Sequence, residues 1–438
     1  MDELIRSRMH EALDVEQPHG DLRARVISSL PADVRHAHGF RGPGREWTLG
    51  GVAVILAVAV VAGLLYTRPP RATIPSGSGL HATARGGFAM VTPSIGWAIG
   101  PAAHVFRTTD GGLRWRDVTP ADYSSNSIDT YFLDGNHAWL TQYVQSSSST
   151  VVFGTNNGGA SWHRSLPIST ADLHRTYGTV LFFIDPTHGW LLVPGLVGGS
   201  QLADPSTSTQ FEFLYRTTDG GAHWQQVSHT TSRPGACVWG DVVFSSLTTG
   251  WIVNFCPSGS GPALFVSHDG GVTWNVQSLP VPATSLDSSP VFFDSQHGIL
   301  VVAGESSMTL LATSDGGRTW SVRPLPGTVQ TGLNFVDEAH GWVIGGSSDQ
   351  LSNGATVSGV VVPLFRTDDG GNNWVAVRTD LLLVSTYGRV QALDFVDPRN
   401  GFAIAFTAVP IYGSFAYQGA LLKTTDGGVT WAVVGQLP

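Results

Sequence analysis

Among the side chains in this sequence that could bind a metal or move a proton are His137, His188, His297 and His340, with Asp185, Asp294, Asp337 and Asp397. A zinc centre needs several imidazole, thiolate or carboxylate groups converging on one point. A glycosidase needs two carboxylates flanking the bond it cleaves. Arg107, Arg216 and Arg366 could clamp a substrate carboxylate, and Cys237 and Cys256 are the only thiols. The spacing argues against each chemistry. The histidines occupy equivalent turns of separate repeats, the four aspartates lie in that same turn, and the arginines all precede a second, equally repeated turn. Residues that return once per repeat mark architecture, so the histidines are expected to cap turns and the arginines to be solvated or blade-edge residues. No catalytic residue, metal site or cofactor is expected, and the protein is expected not to be an enzyme.

The repeat is plain in FRTDDGGNNWVAV (residues 365–377), which has six variants between FRTTDGGLRWRDV (106–118) and LKTTDGGVTWAVV (422–434). Its acceptor residues are Asp110, Asn157, Asp219, Asp269, Asp315, Asp369 and Asp426, spaced 46 to 62 residues apart. Each is followed five positions later by Trp115, Trp162, Trp224, Trp274, Trp320, Trp374 or Trp431. A short Asp or Asn can hold the amides of its own turn, Gly accepts positive φ, and the indole buries a large ring while donating its N–H. Ahead of each such stretch lies an apolar run, a turn, a small residue and usually Trp, as in LNFVDEAHGWVIG and FFIDPTHGWLL. Every unit therefore reads as strand A, turn, strand B, loop, strand C, Asp-Gly-Gly turn, strand D. Four short antiparallel strands repeated seven times specify an all-β, seven-bladed β-propeller over residues 85–438.

The S/T-x-D-x-G-x-x-W stretch resembles the Asp box of BNR (sialidase-type) repeats. The paired F-x-D-x-x-H-G-W and T-x-D-G-G-x-x-W unit looks most like the photosystem II stability/assembly factor family; sortilin-type propellers and xyloglucanase-type glycoside hydrolases carry related units. The resemblance covers all seven units. It implies a non-enzymatic propeller on the lumenal or extracytoplasmic side that binds protein clients and helps assemble a membrane complex. The Phe/Tyr-Arg-Ile-Pro stretch of the sialidases is absent. Xyloglucanase-type enzymes place substrate between two propellers, whereas one is present here. An extracellular glycosidase acting on polysaccharide, and a cell-envelope sensor signalling through the N-terminal tail, are the alternatives.

The remainder of the chain raises a membrane question. Residues 48–66, TLGGVAVILAVAVVAGLLY, run for 19 residues without a charge, about the length that spans a bilayer core as a helix. Trp47 and Tyr66 stand at its ends, where amphipathic rings favour the interface. The 46 residues before it are too many for the n-region of a cleaved signal peptide. The expected order is a cytoplasmic helical tail (1–46), a transmembrane helix (47–66), a Pro/Ser/Gly linker (67–84) and the propeller. The protein is thus expected in the cell membrane, single-pass, with the propeller extracytoplasmic and the N-terminus cytoplasmic.

Composition agrees with a Gly- and Trp-rich exported β-domain: 53 Gly, 14 Trp and 13% charged residues. The net charge is −9 and Lys423 is the only lysine, which excludes non-specific nucleic-acid binding through a broad cationic face. Cys237 and Cys256 bracket strands A and B of the fourth unit, where an oxidising compartment favours a disulfide; two buried thiols are the alternative. In a propeller the A–B and C–D turns gather on one face and the B–C and D–A loops on the other. Here the second set varies, and variable loops over a rigid scaffold are where recognition residues concentrate. Tyr, Trp and Arg are favoured interface anchors. The expected recognition surface comprises Arg175, Tyr177, Arg233, Trp239, Tyr387, Arg389, Tyr412 and Tyr417, binding a protein client or membrane complex, with polysaccharide as the other candidate. The units are expected to close end to end without an interlocked strand, unless residues 79–84 add one.

Overall fold

The computed structural model describes residues 87–437 apart from 125–128, 170–174, 177, 198–208, 233–237, 256–263, 282–284, 287–289, 304–307, 327–328, 346–363, 380, 382–388 and 412–413. The described strands form seven antiparallel sheets, each in the order A-B-C-D along the chain. Blade 1 consists of Phe88–Met90, Gly96–Ile99, Val105–Thr108 and Arg116–Asp117. Blade 2 consists of Thr130–Phe132, Ala138–Val144, Ser149–Thr155 and His163–Arg164. Blade 3 follows with Val180–Phe183, Gly189–Val197, Thr209–Thr217 and Gln225–Ser232, and blade 4 with Val238–Phe244, Gly250–Phe255, Leu264–Ser267 and Asn275–Gln277. Blade 5 is Val291–Phe292, Gly298–Ala303, Met308–Thr313 and Ser321–Arg323; blade 6 is Val329–Phe335, Gly341–Gly345, Leu364–Thr367 and Val375–Val377. Blade 7 is Arg389–Phe395, Gly401–Ile411, Ser414–Thr424 and Ala432–Gln436. Short strands Ile168–Ser169, Arg175–Thr176 and Ser285–Leu286 extend blades 2, 3 and 5. The chain is a seven-bladed β-propeller of four-stranded blades.

Each blade is covered by a neighbour on both faces, so its inner strands read as unbroken apolar runs rather than alternating ones. Trp342, Val343 and Ile344 of strand B in blade 6 are all buried, while strand D (Val375–Val377) is largely exposed. The hydrophobic core accordingly lies between blades. One cluster joins Trp97 and Val105 of blade 1 to Phe132, Leu140 and Phe153 of blade 2.

The contact between blades is largely aromatic. The strand-B Trp of one blade lies flat on the strand-A Phe of the next: Trp139 on Phe183 and Trp190 on Phe244 at 3.6 Å, Trp251 on Phe292 at 4.1 Å, Trp342 on Phe395 at 3.8 Å. The Trp of the Asp-Gly-Gly stretch meets that Phe edge-on, as in Phe395–Trp431 at 6.0 Å and 82°. Offset-stacked and T-shaped pairs are the favoured geometries for such rings. Glycine at the start of strand B makes room for the Phe. A Cβ on Gly401 would lie 2.6 Å from the Phe395 ring. Blade 2 has Ala138 there, and its Phe132 sits 5.5 Å from Trp97, the widest of these stacks.

Blades 1 and 7 are each built from one continuous stretch, and among the described residues no strand is shared between them. Three interactions close the ring. The Met90 amide donates to Asp394 Oδ2 at 2.8 Å. Lys423 Nζ donates to the Pro93 carbonyl at 2.8 Å. Met90, Phe402, Ile404 and Leu421 form a buried cluster against which Phe88, Trp115 and Leu437 pack. Residues 79–84 and the span at 47–66 lie outside the described residues. Among those described, no helix is long and apolar enough to cross a membrane.

Candidate functional site

The A–B turns show what the repeated Asp and His do. Asp134 Oδ1 accepts the amides of Asn136 and His137 at 2.7 and 2.8 Å, and its carboxylate meets His137 Nδ1 at 2.9 Å. Asp185 with His188, Asp294 with His297 and Asp337 with His340 repeat the arrangement, each at 2.8 Å. In blade 7 Asn400 takes the histidine's place on Asp397, also at 2.8 Å. Blades 1 and 4 use the hydroxyls of Thr92 and Ser246 to accept the same two amides. Burial would raise the Asp134, Asp185 and Asp294 carboxyls, but these amides and side chains more than offset it and hold them below the usual carboxylate range.

The Asp-Gly-Gly turns are equally uniform. The hydroxyl two residues before the acidic position accepts the second Gly amide at 2.9–3.0 Å. It donates in turn to Asp110, Asn157, Asp219, Asp269, Asp315, Asp369 or Asp426 at 2.8–3.0 Å. The same oxygen accepts the amide four residues on, at 2.8–3.0 Å. Both glycines have positive φ in every copy, between 70° and 98°. Burial opposes ionisation of Asp269, yet the Thr273 hydroxyl and amide pull its carboxyl down to about 2. Trp224, Trp274 and Trp431 donate to the Gly carbonyls of their own turns, and Trp162 and Trp374 to the preceding blade. Trp115 and Trp320 pack edge-on against Phe88 and Phe292.

Of the strand-C arginines expected to be solvated or blade-edge, Arg366 is part-exposed on an exposed partner, whereas Arg107 and Arg216 lie over the aromatic rings of their own blades. Arg107 is half-buried, donates from Nε to the Gly135 carbonyl of blade 2 at 2.9 Å and lies 5.6 Å over the Trp97 ring. Arg216 lies 5.5 Å over Trp190, Lys423 lies 5.3 Å over Phe402, and Arg366 pairs with Asp368 at 2.7 Å. Arg107 and Lys423 reach across the blade interface, where the next blade's turn carbonyls and this blade's aromatic faces are the partners within reach. The sequence reading also missed the buried polar groups of the innermost strands. Asp129, Asn334 and Asp394 accept amides from Leu181, Phe395 and Met90 of the following blade. The signal was visible: an Asp or Asn inside an otherwise apolar run must find an amide.

The opposite face carries the variation. Strands B and C of blade 1 have four residues each, those of blade 3 nine, and those of blade 7 eleven. At about 3.3 Å per residue, the blade 7 hairpin runs on the order of 23 Å past the rung where blade 1 ends. Its outer rungs pair Ala408 with Tyr417, Val409 with Ala416, Pro410 with Phe415 and Ile411 with Ser414. No charged residue occurs between Arg399 and Lys423. The expected recognition residues are placed on this rim only by backbone. Arg389 opens strand A of blade 7 opposite Phe406, so it and Tyr417 share that blade. Arg175 lies opposite Leu196 in blade 3, and Trp239 opposite Asn254 in blade 4. Tyr177, Arg233, Tyr387, Tyr412, Cys237 and Cys256 lie outside the described residues.

No protein-family model and no curated protein matches the chain. Among solved structures, YCF48 bound to D1 peptide is similar at 18% identity over 82% of this chain and 95% of that one, with a TM-score of 0.46. YCF48 from Cyanidioschyzon merolae is similar at 17% identity over 81% and 96%, TM-score 0.46. The GH74 xyloglucanase from Xanthomonas campestris is similar at 15% identity over 83% of this chain and 55% of its own, so the chain spans about half of that enzyme; the TM-score is 0.47. The seven-bladed architecture stands on the strands themselves, and these distant likenesses add no role to any residue.

Proposed function

We propose that this protein is a non-catalytic docking platform: a propeller carried outside the cytoplasm on a single transmembrane helix, which holds a protein client on its loop-rich face. The observation that supports it is the contrast between the two faces. On the turn face the acidic and basic side chains are engaged in bonds that recur from blade to blade. The other rim carries the extended, uncharged and aromatic hairpin of blade 7. A hairpin whose sequence is uncharged and contains Tyr and Phe favours a partner with a complementary apolar segment over a charged one. A photosystem II assembly role, of the kind the YCF48–D1 peptide pairing suggests for YCF48, is the finer form of this proposal. Placing a photo-crosslinking residue at Tyr417, and as control at Thr319 on the turn face, tests it. A discrete protein adduct from position 417 and none from 319 is the expected result; equal labelling from both would sink it.

A further inference from the structure

One turn-face cluster goes beyond the repeat. Asp294 and His297 form the usual pair of the A–B turn in blade 5, at 2.8 Å between Oδ2 and Nδ1. The same Nδ1 also faces Glu338 Oε2 of blade 6, at 3.3 Å. At the position of Glu338, the blades following His137, His188 and His340 carry Pro186, Leu247 and Pro398. Only the seam between blades 5 and 6 therefore turns a second carboxylate on the histidine. The three ligand atoms lie within 4.8 Å of one another. We propose that Asp294, His297 and Glu338 bind a transition-metal dication of the Zn2+ class, pinning blade 5 to blade 6.

The donor set fits that class. One imidazole nitrogen and two carboxylate oxygens leave a fourth tetrahedral position for water, and bonds of about 2.0–2.1 Å separate tetrahedral ligands by about 3.3 Å. The His297–Glu338 separation already has that value, replacing the proton between Asp294 and His297 widens that pair by about half an ångström, and Asp294 and Glu338 lie within 4.8 Å of each other. Ca2+ and Mg2+ take oxygen ligands, so the imidazole nitrogen in this set favours a Zn2+-class ion over either. The ligands stand on closed turns: the Phe293 amide bonds the His297 carbonyl at 2.9 Å and the Val336 amide the His340 carbonyl at 3.0 Å. Asp337, beside Glu338, is engaged by His340 and does not compete. The sequence expectation of no metal considered convergence of the four histidines; here one histidine suffices, because a neighbouring blade supplies the third ligand.

The test is isothermal titration of full-length protein with ZnCl2, with histidines elsewhere controlled by difference. Wild type is expected to take up one equivalent that Glu338→Gln and His297→Ala each weaken at least about tenfold, since even outer-sphere changes cost that much. His340→Ala, which removes a turn histidine lacking a third ligand, should retain that equivalent, and Ca2+ should not displace it. The site assignment is overturned if Glu338→Gln binds as wild type, if no zinc is taken up, or if His340→Ala loses the same equivalent. Displacement by Ca2+ would overturn the metal class.

Discussion

Ring closure between the last blade and the first makes the sharpest stability prediction. Asp394 is 4% exposed and receives the Met90 amide from 304 residues away in sequence. Asp394→Ala removes the acceptor and leaves a buried N–H without a partner, which costs about 1–3 kcal/mol. Asp394→Asn keeps an acceptor oxygen. Asn334 already fills this role one seam earlier, taking the Phe395 amide at 2.9 Å. The loss in Asp394→Asn should therefore be under half that of Asp394→Ala. Urea unfolding followed by Trp fluorescence reads the difference, with circular dichroism checking that both probes report one transition. A melting shift of about 2–4 °C per kcal/mol applies to domains of 150–250 residues and shrinks for longer ones, so denaturant midpoints are the better readout. If Asp394→Ala unfolds at the wild-type midpoint, the amide bond does not hold the seam. If Asp394→Asn is as damaging as Asp394→Ala, the charge rather than the acceptor is what matters, and the reasoning fails.

Gly401→Ala should push Phe395 off Trp342 and cost about 1–3 kcal/mol by overpacking; a crystal structure should show that stack widening from 3.8 Å toward the 5.5 Å of the blade that has Ala138. Asn157→Asp should be tolerated to within about 0.5 kcal/mol, because the Ser161 hydroxyl, which accepts from Asn157 Nδ2 at 2.8 Å, can turn to donate to a carboxylate instead, as Thr273 does to Asp269; a loss above about 2 kcal/mol would contradict it. The carboxyls of Asp134, Asp185, Asp269 and Asp294 have depressed folded values, so their contribution is fully present above the unfolded value of about 3.9 and is lost as pH falls through the folded one. Midpoints measured in urea should thus stay level from pH 7 to 5 and drop between about pH 4 and the value near 2 of Asp269. The ladder of blade 4 ends at Val238 opposite Phe255, one residue short of Cys237 and Cys256. Non-reducing peptide mapping of protein from its native compartment is expected to find those two cysteines joined; free thiols there would count against export.

The blade count, the strand order and the identity of the turn residues could all be read from the repeat, because seven copies of one pattern average out local ambiguity. What could not be read was anything that passes between blades. The partner of Arg107 is a carbonyl 28 residues away and that of Lys423 one 330 residues away, and a repeat unit viewed alone shows only that a cation precedes the turn. Reading Arg107 as a solvated or blade-edge residue treats blades as separate units and leaves its partner on the next blade unnamed. The candidate site divides the same way. The long B–C connections of blades 3 and 7 were legible as length and composition. That blade 7's connection continues the ladder as a paired hairpin depends on register, which composition does not encode. Glu338 went unnoticed because its significance arises only opposite His297.

The most direct test of the docking role is affinity purification of the full-length protein from its own membranes after crosslinking, beside a variant in which residues 407–418 are replaced by a short Asn-Gly turn. A stoichiometric protein client with the full chain and its loss with the shortened hairpin are expected, while the variant keeps the wild-type unfolding free energy to within about 1 kcal/mol. A client retained by the shortened variant would move the docking surface elsewhere. Recovery of polysaccharide alone, with its hydrolysis by the purified propeller, would contradict the central claim.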